Sequence, residues 1–353
     1  MIIYLFLLAL TGIAAFGTNN KTLDKICIFL IFCVSAFRAE SVGWDTITYM
    51  QRGSSEYATG LKTLQYFYIF LTSIKPTGSS HLLIIVFSTV TTWGLYFASK
   101  KFGVRPVVTF FFFILFEYFT LSLNIARQYA AISLLLVGFS YLQDEGVKKY
   151  LYFLIYTGLA CGFHSSAPLA LIAIPLCLLN FSEIEKKYYV VLFIILYVLI
   201  KFLLRDFYLS WVQLADLSDD ISGYQYYFEQ AESMNLSLGG TIIASTTIIL
   251  NVFVFLSLLK YDTREIRIIV PIFFASIIID LFFADLWGNL GRLKYCIDII
   301  NVIAYAKYMQ YEKSSKRMVV LTLTLLFFGY DLIYMLLGSN NAYGSVHSVF
   351  WSN

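Results

Sequence analysis

Arg38, Arg127 and Arg292 have the widest chemical reach in this chain. Each stands against an apolar run: Arg38 after "ICIFLIFCVSAF", Arg127 within "LSLNIARQYAA", Arg292 within "WGNLGRLKYC". A guanidinium presents five donors in a planar fork and takes phosphate bidentately. Its charge at the centre of a membrane helix costs about 2.5–3.5 kcal/mol on insertion scales, so anionic partners are expected. A lipid diphosphate would supply them. Asp45, close after Arg38, is placed to act as general base on a sugar hydroxyl, with Glu117 as the second candidate base. His164, at the break "CGFHSSAP", would hydrogen-bond phosphate or acceptor.

Each of these residues also has a plain structural reading. Arg38 and Arg52 fit snorkelling residues at helix ends. Arg127 has a local ion-pair candidate in Glu117, and Arg292 has one in Asp285. His164, before Ser165, Ser166 and Pro168, fits the cap of a broken helix. Lys294 and Asp298, four apart on a helix, would satisfy each other.

The elements that must position these groups are membrane helices. Hydrophobic residues make up 59% of the 353 residues and charged ones 13%, against about 25% charged in a soluble domain. Apolar runs close to the length of a bilayer crossing recur from end to end, which predicts an all-α polytopic membrane protein forming one transmembrane domain over 1–353. Long unbroken runs exclude a transmembrane barrel, whose strands alternate over about 10 residues. The basic residues are scattered over short loops, so no nucleic acid partner is expected. The five cysteines have no metal-type spacing and read as reduced core thiols, and neither metal nor cofactor is expected. The first apolar run has no basic region before it and reads as a helix that is retained.

Hydropathy places twelve spans, at about 1–16, 23–37, 81–98, 107–123, 125–142, 150–163, 166–180, 189–206, 239–259, 267–285, 290–309 and 318–337. The 61–80 stretch is short, amphipathic and aromatic, and reads as an interfacial or re-entrant helix. Lysine and arginine in short loops mark the cytoplasmic side: Lys100, Lys101 and Arg105; Lys148 and Lys149; Lys186 and Lys187; Lys260, Arg264 and Arg267; Lys313, Lys316 and Arg317. Lys21 and Lys25 fit the same side if 61–80 does not cross. The 207–238 loop has aspartates and glutamates but no lysine or arginine, and belongs outside, where with 38–80 it would line a site. Arg38, Asp45, Arg127, His164 and Arg292 then all fall at the outer boundary.

The pattern resembles the EpsG family of Wzy-like polysaccharide polymerases. "RAESVGWDTITY" resembles its early signature, through Arg38, Gly43, Asp45, Thr46 and Tyr49. "NIARQYAAISLLLVGFSYL" resembles its middle arginine helix, with Arg127 and Gln128. "KKYLYFLIYTGLACGFHSSAPLALIAIP" resembles its histidine segment, with His164, Ser165 and Pro175, and "GRLKYCIDIINVIAY" its late arginine helix, with Arg292 and Tyr295. The similarity covers about residues 1 to 337. It implies a metal-independent, GT-C-like membrane glycosyltransferase at the outer face of the bacterial cytoplasmic membrane. Its substrates would be oligosaccharide repeat units on polyprenyl diphosphate, with Arg127, Arg292 and Arg38 on the diphosphate. It also implies a separate chain-length regulator and a flippase as partners. A lipid-linked oligosaccharide flippase, an O-antigen ligase-like transferase, an acyltransferase using His164 as base and a scaffold are the competing readings. The absence of an internal repeat speaks against the flippase.

Overall fold

The computed structural model describes residues 2–43, 45–51, 66–73, 80–179, 181–199, 238–283 and 291–338, and every regular element among them is helical. Arg52, Asp285 and the 207–237 part of the acidic loop lie outside the described residues.

The chain enters through α1 (Ile2–Gly12), which widens into a π-turn (Ile13–Gly17), and α2 (Lys21–Ala36) follows. Asn20 caps α2, its side chain accepting from the Thr22 and Leu23 amides at 2.9 and 3.2 Å. Two short helices, α3 (Thr46–Gln51) and α4 (Tyr66–Ser73), precede the long α5 (Leu82–Lys101). Next come α6 (Pro106–Leu115), started by Pro106 at the position where proline is preferred, then α7 (Tyr118–Asn124), α8 (Ala126–Tyr141) and α9 (Lys148–Cys161). A 3₁₀ segment (Ala167–Ile172) runs into α10 (Ala173–Cys177), and α11 (Lys186–Leu199) follows. The last third holds α12 (Leu238–Leu258), α13 (Arg264–Phe283), a 3₁₀ turn (Gly291–Lys294) leading into α14 (Tyr295–Asp298), α15 (Ile300–Tyr311) and α16 (Ser314–Gly338).

Each of the twelve spans expected from hydropathy has a helical counterpart, but the counterparts are more broken than hydropathy suggests. Among the described residues one helix, α5, is long and apolar enough to cross a membrane unbroken, and α6 with α7 passes as a pair bent by 72°. The described helix in 61–80 has 8 residues, or about 12 Å, too short by itself for a hydrocarbon core of about 30 Å.

Burial sorts the helices into centre and rim. Residues 109–115 of α6, 128–140 of α8 and 300–309 of α15 are buried on every side, as expected for helices apolar all round. Leu151, Leu154 and Ile155 of α9 and Val191, Ile194 and Ile195 of α11 instead present bare apolar faces. Close contact of α5 with α8 depends on Gly94, where a Cβ would come within 2.8 Å of Ser133. Small residues at helix crossings let backbones approach, which is how packing replaces the hydrophobic drive inside lipid.

One end of the bundle is tied by ion pairs. Arg105 grips Asp24 through two contacts of 2.6 and 2.7 Å and donates to the Thr18 carbonyl at 2.7 Å. Lys101 meets Asp144 at 2.8 Å, Arg264 meets Glu145 at 2.6 Å, and Lys260 meets Glu312 at 3.0 Å. These contacts gather at one end the basic loops around residues 100–105, 260–267 and 313–317, together with the start of α2 and the turn before Lys148. The helix α5 runs from there to the opposite end, about 30 Å away.

Candidate functional site

The opposite end is built around one carbonyl, that of Leu123 in the last turn of α7. Arg38 Nη2 donates to it at 3.0 Å and Thr46 Oγ1 at 3.3 Å. Gly43 lies against it with φ of +86°, and a Cβ there would sit 2.3 Å from the Leu123 oxygen. Only glycine fits both the left-handed backbone and the contact. Arg38 is completely buried. Its other nitrogens donate to the Ser35 carbonyl at 2.7 Å and to Thr46 Oγ1 at 3.0 Å, so among the described residues the guanidinium meets only neutral oxygens. The early signature is therefore a clamp on the α7–α8 junction, and Arg127 and Gln128 open α8 directly beyond that junction. Gln128 is buried and Arg127 half-buried. Asp45 is half-buried, and its carbonyl accepts from the Tyr49 amide at 3.0 Å. Buried Tyr49 packs edge-on against Phe87, which leads through Phe163 to the histidine segment.

Glu117 stands at the 72° break between α6 and α7. It is the only non-glycine among the described residues with positive φ, at +64°. Such a conformation costs on the order of 1–3 kcal/mol, and its persistence marks a position held by its surroundings. Holding contacts converge there: Thr120 Oγ1 and the Leu121 amide both donate to the Glu117 carbonyl, at 2.7 and 2.9 Å.

His164 sits in the irregular stretch between α9 and the 3₁₀ segment. Its Nδ1 accepts from the Ser166 amide at 3.2 Å and lies 2.7 Å from Ser166 Oγ, which is 3.3 Å from Cys296 Sγ on α14. An amide can only donate, so the pattern assigns the ring hydrogen of the neutral imidazole to Nε2. Helix α4 docks on the same stretch: the Phe67 amide donates to the Gly162 carbonyl at 3.0 Å, and Tyr66 Oη to the Gly158 carbonyl at 2.8 Å.

Tyr295 closes the arrangement, its ring centroid 6.2 Å from those of both Tyr118 and Tyr129. The arginine turn itself, Gly291–Lys294, is described, but the Arg292 side chain and Asp285 lie outside the described residues. Lys294 keeps the expected ion pair with Asp298 and adds a second, shorter one. Its close partner is Asp280 of α13 at 2.7 Å, while Asp298 lies at 3.8 Å. Ser276 Oγ lies 2.9 Å from both Asp298 Oδ1 and Asn301 Oδ1, and Asn301 Nδ2 reaches Tyr118 Oη at 3.5 Å. Asp280, Ser276 and Asn301 were missed in the sequence reading. The signal was an aspartate inside "IIIDLFF", since an ionisable residue within an apolar run marks function by default.

Three interrupted helical segments thus meet: the α6–α7–α8 chain, the histidine stretch with its 3₁₀ segment, and the turn into α14. Irregular backbone inside an apolar bundle is tolerated where it is covered by protein or lines a polar cavity. A separate cavity of about 370 Å³ lies elsewhere, lined by Phe181, Tyr261, Asp262, Arg267 and Pro271, and takes in none of the residues expected to do chemistry.

Comparison with curated proteins and with solved structures finds no match for either. The sequence pattern of the EpsG family matches residues 21–348, nearly the whole chain. It starts later than the expected resemblance and reaches into the tail beyond residue 337. That family is one of membrane proteins of polysaccharide biosynthesis, with Wzy-like polymerases as its reference activity, and this chain belongs to the EpsG family.

Proposed function

We propose that the protein is a polysaccharide polymerase. It spans the bacterial cytoplasmic membrane many times and joins oligosaccharide repeat units carried on polyprenyl diphosphate, with its site facing outward. One observation carries the reading: the segments of all four motifs gather at the end of the bundle opposite the ion-paired lysine and arginine loops. Cytoplasmic loops carry the excess of lysine and arginine, so the motif end is the outer one.

In this reading the hydroxyl of one unit attacks the anomeric carbon of the growing chain, and the carrier diphosphate leaves with the bonding electrons. Arg127 and Arg292 hold the diphosphate and spread its charge, the role that fixed donors fill at a developing anion. His164 adds a hydrogen bond from Nε2. Tyr49, Gln128 and Tyr295 are the further residues that the motifs nominate for contact with diphosphate or glycan. Arg38 acts at one remove, because its guanidinium is spent on Leu123, Ser35 and Thr46. Asp45 and Glu117 are the carboxylates nominated by motif and position to take the acceptor proton. The arginines supply the positive charge, so the reading calls for no metal and no cofactor. A chain-length regulator and a flippase that delivers the units are the partners it implies.

The test uses protein purified in detergent with an authentic lipid-linked repeat unit, its products resolved on a gel. A ladder of repeats is expected from wild type. A single transfer to a foreign acceptor would mean a ligase, and movement of the lipid across vesicles without a ladder would mean a flippase.

A further inference from the structure

We infer that the proton of the acceptor hydroxyl is taken by Asp280, within a cluster formed by Asp280, Lys294 and Asp298, and not by Asp45 or Glu117. The inference rests on the polymerase reading. Its structural basis is a charge mismatch at the motif end.

One ammonium faces two carboxylates: Lys294 Nζ is 2.7 Å from Asp280 and 3.8 Å from Asp298. Asp298 is almost fully buried, while Asp280 and Lys294 keep 15% and 24% side-chain exposure. A lysine with one carboxylate would be neutral and indifferent to a further proton. The second carboxylate leaves the cluster with an excess negative charge in a poorly solvated place, and binding one proton removes it.

The cluster borders the site. Lys294 Nζ is 5.8 Å from the Tyr295 ring centre, and the next residue, Cys296, reaches Ser166 beside His164. The titratable groups facing the cluster come from each element packed on it: Tyr118 from α7, Tyr295 and Cys296 from α14, and Tyr305 from α15. The cluster's own three members dominate the charge at this point. In the transfer, the acceptor oxygen bonds to the anomeric carbon and the bond from that carbon to the phosphate oxygen breaks. The diphosphate takes the electron pair, and the hydroxyl proton passes to Asp280 and then to water.

Two measurements on the full-length protein test this. The first needs no turnover: infrared difference spectra between about pH 8 and about pH 5 should show a protonated carboxyl band that vanishes in both Asp280→Asn and Asp298→Asn. Absence of that band from wild type overturns the inference whether or not the protein polymerises. The second is the ladder assay across pH. Asp280→Asn should lose about 100-fold or more in rate, and Asp280→Glu should regain part of it. Lys294→Met removes the cation that favours the ionised carboxylates, so the acid limb of the profile should move to higher pH. An Asp280→Asn rate within about threefold of wild type, or an unmoved limb in Lys294→Met, overturns the assignment. A wild type with the infrared band but no ladder overturns the polymerase reading and leaves the proton site standing.

Discussion

The two ends of this bundle handle charge in opposite ways. At the basic end side chains pair with side chains, one for one: Arg105 with Asp24, Lys101 with Asp144, Lys260 with Glu312. Most of these groups keep some access to water, so their pairing costs little and orders loops. At the motif end Arg38 is buried against neutral oxygens, and one lysine serves two aspartates. Burying charge without an equal and opposite partner is expensive. Matched charge at one end is what folding and orientation require. Mismatched charge at the other is a cost that folding alone would not retain.

The strongest way to break this contrast is to remove one arginine from each end. Arg127→Ala should cost about 10²–10³ in polymerisation rate, the loss seen when a donor to a developing anion is removed. Arg105→Ala should lower the melting temperature and leave the rate per folded molecule close to wild type. Rates measured on the gel ladder, normalised to monodisperse protein, decide it. Equal losses from both variants would erase the distinction between the ends.

A smaller effect is expected where the motif end is held together. In Gly43→Ala the new Cβ would lie 2.3 Å from the Leu123 oxygen at a backbone angle that side chains disfavour. The obstacle is backbone, so it cannot swing aside. A destabilisation of about 2–3 kcal/mol is expected, with a fall in rate because Leu123 precedes the arginine helix. Arg38→Lys keeps the charge but loses the fork that reaches Ser35, Thr46 and Leu123 together, and should fall between Gly43→Ala and wild type. Thermal unfolding in detergent measures both, and a Gly43→Ala protein as stable as wild type would remove the clamp from the account.

Much of the scaffold was legible in the sequence, because apolar runs and basic loops report helices and their ends. The breaks were less legible. Hydropathy averages over a window, so it passes smoothly across Glu117, where one left-handed residue turns the helix by 72°. Arg38 was found for its charge, but its type could not say whether the fork meets a ligand or a carbonyl 85 residues away. Spacing suggested that Lys294 pairs with Asp298, and it does at 3.8 Å, but spacing could not show the closer contact with Asp280 on another helix. Long-range partners of this kind are set by packing, which a single sequence does not display.

The smallest predicted effect sharpens the comparison from the basic end. Burial pushes the Glu312 carboxyl up, but the hydrogen bond from Lys260 and the charges of Lys260 and Lys316 outweigh it and hold it below the ordinary glutamate range. A depressed carboxyl contributes stability that is fully present above the unfolded value of about 4.3 and is lost as pH falls through the folded value. Lys260 is 41% exposed, so solvent screening limits the contribution to about 0.5 kcal/mol. Wild type should therefore melt slightly above Lys260→Met near pH 7, and the two should converge as pH falls through the folded value. The ladder rate of Lys260→Met should stay at the wild-type level throughout, because a matched pair at this end stabilises the fold and takes no part in glycan transfer. A gap that persists in acid would show that Lys260 acts through packing of its stem, not through its charge.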